Sequence, residues 1–198
     1  MNGLATPIPT LYNSLLFRSR LEARWAVFFD TLGIEYLYEP EGYVLKPPPP
    51  SEEEPIYYLP DFWLPKQNCW IEIKPVSPSD EEEDKATRLA YGSNKDVYIF
   101  WGQIPNPDTI ADSGPSESDS AFAHFAGGLG WDNHHVWCQC PKCGLLGIQF
   151  DARAGRLPCN CVPNEDKGYN GASPALLDAY RRARTAQFEY GVRHAKLP

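Results

Sequence analysis

Three side chains suited to metal chemistry fall on two neighbouring predicted strands. Segments 57–64 and 69–74 are rich in aromatic and β-branched residues, and a four-residue turn separates them, so they predict a hairpin. Glu72 and Lys74 share one face of the second strand, and the hairpin can bring Asp61 beside Glu72. Two carboxylates this close repel each other unless a hard cation lies between them. Because Lys74 could then contact an attacking water or a phosphate, we predict a site for metal-assisted phosphodiester cleavage.

The spacing Pro60-Asp61, ten residues, then Glu72-x-Lys74 resembles the signature of the PD-(D/E)XK nuclease superfamily. Either half alone is weak, because Pro-Asp is common in turns and Glu-x-Lys is common on solvated strand faces. Together, in order and on adjacent predicted strands, they are a stronger signal. The resemblance implies that Asp61 and Glu72 bind Mg²⁺ or Mn²⁺, that the carbonyl of Ile73 is a further ligand, and that Lys74 orients or deprotonates the water.

A helix is predicted over residues 13–32, where apolar residues recur at helical spacing and Gly33 provides a C-terminal cap. Glu22 lies beside the apolar stripe of this helix. One interpretation is an exposed glutamate paired with Arg18. The other is a third catalytic acid aimed at the metal site. The resemblance supports the second, because residues 19–26 look like the first helix of phage and bacterial members of the superfamily.

The order of predicted elements agrees with the αβββαβ core of the resembled superfamily. Strands at 34–38 and 42–45 precede the two motif strands, a helix starts near Asp80, and residues 96–101 form a last strand. We therefore expect an α/β, restriction-endonuclease-like fold with a small appended zinc ribbon and a C-terminal helix. The expected organisation is an N-terminal arm (1–12), a nuclease core (13–105), a linker or long loop (106–130), a zinc ribbon (131–165) and a basic amphipathic C-terminal helix (166–198).

Five of the six cysteines fall between residues 138 and 161, which in a reducing compartment indicates metal binding rather than disulfides. The run Cys140-Pro-x-Cys143-Gly has the form of a zinc knuckle, and Cys159 and Cys161 complete a tetrahedral site of four sulfurs. Such a site is structural, since four thiolates leave no open position for a substrate. Cys138 could replace one of these ligands, but its spacing fits the knuckle less well, so it is not assigned as a ligand. Residues 145–150 and 156–157 are expected to form a hairpin within the ribbon.

The net charge of −8 is unusual for a protein that acts on nucleic acid, but much of it lies in the short acidic runs 52–54 and 80–84. DNA binding depends on local potential, so basic residues elsewhere can suffice. A helix predicted from Ser173 to about Gly191 is the most basic part of the chain. It can dock on the core with its arginines extended to solvent, contact phosphates, or do both. The residues predicted to contact DNA are Arg18, Arg24, Arg181, Arg182 and Arg184.

The function predicted from these residues is a metal-dependent DNA endonuclease, with Mg²⁺ or Mn²⁺ at the active site and structural Zn²⁺. Structure-specific cleavage in phage or bacterial DNA processing is one open role, because the sequence does not fix the shape of the substrate. Two alternatives keep the fold: a catalytically silent DNA-binding module, and a protein-interaction adaptor docking through its zinc ribbon. RNA stays open as a substrate, and a homodimer stays open because junction cleavage requires a symmetric pair. No apolar run approaches a membrane span and the start lacks a signal pattern, so we expect the cytoplasm of a bacterial or phage-infected cell.

Overall fold

The computed structural model describes residues 7–128, 130–159, 161 and 168–188 of the chain. Within these residues the predicted α/β class is confirmed, since four α-helices accompany a mixed sheet of seven strands. The helices are α1 (Arg20–Leu32), α2 (Asp80–Ser93), α3 (Pro107–Ser113) and α4 (Pro174–Thr185). The strands are β1 (Thr10–Tyr12), β2 (Leu15–Phe17), β3 (Leu37–Tyr38), β4 (Tyr43–Leu45), β5 (Ile56–Tyr58), β6 (Phe62–Leu64), β7 (Cys69–Lys74), β8 (Asp96–Trp101), β9 (Ala121–His124), β10 (Trp131–Gln139) and β11 (Leu146–Phe150).

The seven strands of the main sheet lie in the order β11-β10-β9-β8-β7-β6-β3. Strands β7 and β8 are parallel, and α2 provides the crossover that a parallel pair requires. Strands β3, β6 and β7 are antiparallel neighbours. Helix α1, these three strands, α2 and β8 therefore follow the order predicted for residues 13–105, with the β4–β5 hairpin inserted as a separate small sheet.

Strand β7 is buried on both faces, and its alternate side chains enter two different cores. Ile71 and Ile73 join the larger core with α1 and α4, as their alternation predicted. Trp70 faces the opposite way and joins a second core with α2. Glu72 shares the face of Trp70 and is only 1% exposed. The carboxylate is therefore held inside the protein rather than on a solvated strand face.

The first helix begins later than predicted, and the segment before it is a β-hairpin. Ser19 caps the helix through its hydroxyl, which accepts the N–H of the third helical residue, so the helix starts at Arg20. Asn13 and Ser14 have φ angles of 45° and 66°, the left-handed conformation of a two-residue hairpin turn, and they join β1 to β2. The predicted arm 1–12 therefore ends in a strand, and its first six residues lie outside the described part of the chain.

The predicted motif strand 57–64 is in fact two strands in different sheets. Strand β5 pairs with β4, whereas β6 pairs with β7 and β3. Pro60 lies in the break, where its missing N–H cannot interrupt a ladder. Asp61 lies in the same break, and its carbonyl oxygen accepts the N–H of Glu39 at 2.9 Å. The break places Asp61 at the start of β6 while β5 turns away from the main sheet.

The Pro-rich insertion 46–55 connects β4 to β5, as predicted for a hairpin tip. One side chain attaches it to α2. Arg88, which is 3% exposed, forms ion pairs with Glu53 and with Asp84 (2.7 Å) and donates to the carbonyl of Glu54 at 3.0 Å. Part of each acidic run is therefore neutralised within the protein, and the β4–β5 hairpin is held against the face of the sheet that carries Glu72.

The C-terminal half departs furthest from the prediction. Residues 106–130, predicted as a linker, contain α3 and β9, and β9 pairs with β8. Strand β11 pairs with β10 rather than with residues 156–157, which form the end of a short 3₁₀ turn and its C-cap. The strands assigned to an appended ribbon thus extend the main sheet, and Trp137 of β10 lies in the large core. Helix α4 ends at Thr185, and the predicted cap Gly191 lies outside the described residues.

Candidate functional site

The antiparallel register of β6 and β7 brings the two predicted carboxylates together. Phe62 pairs with Ile71, so Asp61 and Glu72 are opposite one another. The Asp61 N–H donates to Glu72 Oε1 at 3.2 Å, and the Ile73 N–H donates to Asp61 Oδ2 at 2.8 Å. Asp61 is 3% exposed and Glu72 is 1% exposed. The structure therefore places both acids side by side and out of solvent.

Two cations lie against this acidic pair. Arg18 Nη2 is 2.6 Å from Asp61 Oδ1, and Lys74 Nζ is 3.3 Å from Glu72 Oε2. Burial, and then the charge of Glu72, raises the pKa of Asp61 well above its usual range. Burial also raises the pKa of Glu72, although Lys74 opposes the shift. The pair is therefore costly to ionise fully, which is the electrostatic condition that a bound divalent cation relieves.

Glu22 is buried at 7% exposure, so the interpretation as an exposed helix glutamate is wrong. Its carboxylate accepts hydrogen bonds from the hydroxyls of Ser19 and Tyr38, each at 2.6 Å, and from the N–H of Arg18 at 3.2 Å. Arg18 connects this group to Asp61 through its guanidinium. Glu22 thus lies in the hydrogen-bonded surroundings of the acidic pair, and its own partners in this structure are Arg18 and Ser19, just before α1, and Tyr38 of β3.

Three site residues were not predicted from the sequence. Tyr38 holds Glu22, and Glu39 forms a second ion pair with Arg18. Burial, and then the charges of Glu72 and Asp61, raises the pKa of Tyr58 well above its usual range, which places this phenol beside the acids. All three come from strands or turns that meet the motif only after folding. A Tyr at a predicted strand end, or a Glu directly after one, is too common a pattern to have identified these three residues.

The carboxylates fit a hard cation by the chemistry of their oxygen donors and by their burial. They do not form a preassembled three-ligand cluster. Within the described ranges, the only group of three or more His, Cys, Asp or Glu side chains close enough to share one ion is formed by Cys140, Cys143, Cys159 and Cys161. Asp61 Oδ1 is instead occupied by Arg18. A divalent ion would have to compete with, or lie beside, that guanidinium.

The cysteine cluster has the composition of a structural zinc site. The ligand atoms of its four members lie within 4.8 Å of one another, and tetrahedral Zn²⁺ with Zn–S bonds of 2.3 Å requires sulfurs about 3.8 Å apart. The N–H of Cys143 lowers the pKa of Cys140 to about 6, with help from the N–H of Lys142 and against the effect of desolvation. Gly144, at φ 77°, makes the turn that directs these amides toward the sulfur. The predicted set of four cysteines is therefore together and could hold a metal such as zinc.

Cys138 lies outside that cluster, as the sequence indicated. It is fully buried in a small core with Val136, Ala154 and Leu157. Burial, together with the nearby charge of Cys140, raises the pKa of the Cys138 thiol to about 12. Because its sulfur is not part of the group of four that lies within 4.8 Å, Cys138 serves as a packing residue of this core.

The five arginines predicted to contact DNA have different surroundings. Arg18 is bound to Asp61 and Glu39 in the site, so its main contact is a carboxylate. The Nε of Arg24 on α1 is buried without a hydrogen-bond partner in the described structure. On α4, Arg182 pairs with Asp178 at 2.7 Å, one turn earlier on the same helix.

The other two arginines of α4 reach α3 and the segment before it. Arg181 lies 3.9 Å from Asp108 with both side chains more than half exposed, and Arg184 donates to the carbonyl of Ile104. Arg181 and Arg182 remain largely exposed, whereas Arg184 ties α4 to the turn after β8. Helix α4 therefore docks on the core through one face and presents arginines on the other.

Among the residues that the structure describes, no helix is both long and apolar enough to cross a membrane. Comparison with known proteins adds no assignment to the geometry. No protein-family model, no curated protein and no solved structure matches this chain at a significant level.

Proposed function

We propose that the chain is a metal-dependent nuclease that hydrolyses phosphodiester bonds in DNA, in the manner of the PD-(D/E)XK enzymes that its motif resembles. One observation supports this most strongly. Asp61, Glu72 and Lys74, which the motif spacing singles out, meet at one buried position where β6 and β7 pair. A purely structural ion pair does not need a second buried carboxylate, because each buried acid adds a desolvation cost.

In this proposal Asp61 and Glu72 hold a Mg²⁺ or Mn²⁺ ion, and the carbonyl of Ile73 is available beside them. The ion, when bound, neutralises charge on the phosphate and lowers the pKa of a bound water. Lys74, 3.3 Å from Glu72, is placed to orient the water and to offset negative charge on the pentavalent transition state. Glu22 acts through Tyr38 and Arg18, and with a second ion it would also become a ligand.

The cysteine cluster has a structural role in this proposal. Zinc bound by four thiolates has no open coordination position, so it would stabilise the end of β10 rather than take part in hydrolysis. The small core beneath it contains Val136, Cys138 and Leu157, and Leu157 lies so close to Gly147 of β11 that a Cβ there would meet it at 2.5 Å. The zinc would therefore stabilise a tightly packed end of the sheet to which β7, with Glu72, also belongs.

The test is a panel of labelled single-stranded, duplex, flap and junction DNAs, with an RNA strand, incubated with Mg²⁺ or Mn²⁺. Asp61→Asn, Glu72→Gln and Lys74→Met should each reduce cleavage by orders of magnitude, since a lost ligand or water-orienting group costs several kcal/mol of barrier. Asp112→Asn removes one exposed carboxylate and serves as the control of matched charge change. Cleavage by Asp61→Asn at the wild-type rate, or absence of any cation-dependent cleavage by the wild type, would refute the proposal.

A further inference from the structure

A second cleft lies on the sheet face that carries the acidic pair. It has a volume of about 320 Å³, and three of its eight lining residues are aromatic, together with one lysine and one glutamate. Its lining includes Tyr43, Trp63, Trp70, Glu41 and Lys95. The proposed hydrolysis makes no use of these side chains. Aromatic walls combined with a cation are the two components of sites that bind single-stranded nucleic acid.

The aromatic side chains form a continuous surface. The ring centroids of Trp63 and Trp70 are 4.8 Å apart, and those of Tyr43 and Trp70 are 5.6 Å apart with planes at 76°. Trp70 is 5% exposed, yet its Nε1 has no hydrogen-bond partner in the described structure. A buried donor without an acceptor is unfavourable, so this N–H is suited to an acceptor supplied by a ligand.

The cleft adjoins the candidate catalytic site. Trp70 and Glu72 are two residues apart on one strand and share its face, which places their Cα atoms about 6.5 Å apart. The β4–β5 hairpin covers both positions. Its Tyr43 contacts Trp70, and the cross-strand partner of Tyr43, Tyr58, lies beside Glu72. A ligand in the cleft and a phosphate at the acidic pair could therefore belong to neighbouring parts of one strand.

Lys95 gives the cleft a charge that suits a phosphate. It follows the C-terminus of α2, and no ion pair to it occurs in the described parts of the chain. Glu41 also lines the cleft and disfavours a ligand with several negative charges. A single nucleotide unit, with a flat ring, ring acceptors and one phosphodiester charge, meets both conditions.

We propose that this cleft binds an unpaired nucleobase of the strand that is cut, beside the scissile phosphate. The base stacks on Trp63 and Tyr43, and one of its acceptors takes the N–H of Trp70. A base inside a duplex cannot enter a cleft of this kind, so the preferred substrate has a single-stranded or extruded nucleotide at the cleavage position. The position of the scissile phosphate rests on the function proposed above, whereas binding of the base does not.

The experiment measures binding of a labelled oligothymidine and of a duplex of equal length by fluorescence anisotropy, without added Mg²⁺ or Mn²⁺. Trp63→Leu should weaken single-strand binding about 10-fold, because stacking on one base contributes roughly 1–3 kcal/mol, and should leave duplex binding unchanged. Trp63→Phe keeps a stacking ring and should recover most of the loss. Trp70→Phe keeps the ring, removes the donor and should weaken binding severalfold.

Two controls separate base binding from general attraction. Lys95→Met should lower the log–log salt slope on single strands by about 0.7, whereas Lys142→Met, at the distant cysteine turn, should not. On a strand with an abasic position at the binding site, Trp63→Leu and wild type should bind equally. Unfolding curves verify that each variant is folded, which matters at Trp63 because this partly exposed side chain also packs against the core that contains Trp70.

If Trp63→Leu binds the single strand as tightly as wild type while cleavage is intact, the base-binding inference alone is refuted. If the Trp63 effect and its loss on the abasic strand are observed but no strand is ever cut, the cleft is a nucleobase site and the nuclease proposal alone is refuted. Equal binding of the single strand, the duplex and the abasic strand by all variants would also overturn the inference.

Discussion

Replacing Arg18 with Met tests whether the acidic pair is a cation site. Arg18 supplies the guanidinium 2.6 Å from Asp61 Oδ1, and Asp61 is 3% exposed. Without that guanidinium, two buried carboxylates share only Lys74 as a cation. The folded state should then be less stable when no divalent ion is present, and a divalent ion should find Asp61 Oδ1 free. The variant should therefore be destabilised without the ion and recover when it is added.

The size of the expected destabilisation follows from the contact between Arg18 and Asp61. A hydrogen bond to a charged partner contributes about 1.5–3 kcal/mol, and because the Arg18 side chain is 53% exposed, solvent screening reduces this to about 1–2 kcal/mol. For a chain of this length that loss lowers the melting temperature by about 2–8 °C. Removing the competing guanidinium should tighten apparent Mg²⁺ affinity by about 5- to 30-fold. At an ion concentration 100 times Kd the site regains about 2.7 kcal/mol.

The assay is thermal and urea unfolding of wild type and Arg18→Met, dialysed free of Mg²⁺ and then titrated with it. Lys66→Met is the control, because Lys66 pairs with Glu35 at 3.9 Å and both side chains are more than half exposed. This variant should change neither the stability nor its response to Mg²⁺ appreciably. Equal stability of Arg18→Met and wild type without the ion would contradict the electrostatic reasoning. A stability difference that Mg²⁺ leaves unchanged would show that the pair is not a cation site.

Two further predictions concern the rest of the sheet. The purified protein should carry one zinc per chain. Cys140→Ser should release the zinc and loosen the end of β10, whereas Cys138→Ala should retain it. Elemental analysis showing equal zinc loss from both variants would contradict this ligand set. Burial lowers the pKa of His124 to about 4 from an ordinary value of 6.5, so on acidification the unfolded state takes up a proton before the folded state does. The free energy of unfolding should therefore fall by up to about 3 kcal/mol as the pH drops from about 6.5 to 4. His124→Gln should flatten that fall in urea unfolding measured across this range, and an unchanged pH dependence would show that His124 is not its source.

The positions of the acids were predictable because they depend on short-range geometry. A four-residue turn between two strands fixes the register, and the register places Asp61 opposite Glu72. The alternation of β7 likewise assigned Ile71 and Ile73 to the core. The cysteine set was predictable for the same reason, since a knuckle places both of its sulfurs through one turn. The two acids are 11 positions apart and each cysteine pair is two or three positions apart, so the local geometry of each depends little on the rest of the chain.

The features that were predicted wrongly depend on contacts distant in sequence or on local signals that compete. Helical spacing continues upstream of Ser19, but the Ser19 cap and the Asn13–Ser14 turn divert that segment into a hairpin. The polar composition of residues 106–130 indicated a linker, yet Ala121–His124 completes the sheet because the edge of β8 is available to pair. The contact of Arg18 with Asp61 spans 43 positions, and no local pattern encodes it.

The charges around the site bear on the proposed function, in which an acidic protein would act on a polyanion. Within the part of the chain that the structure describes, Glu22, Glu39, Asp61 and Glu72 contact Arg18 and Lys74, so these six groups have a net charge of minus two when fully ionised. Burial resists that state by raising the pKa of Asp61, which favours its neutral form when no metal is present. One divalent ion brings the group to neutrality, and a second would make it positive. A phosphate is therefore repelled by the ionised site without metal and accepted by the loaded one, so strand binding at the acidic pair should strengthen with Mg²⁺ while binding in the aromatic cleft should not depend on it.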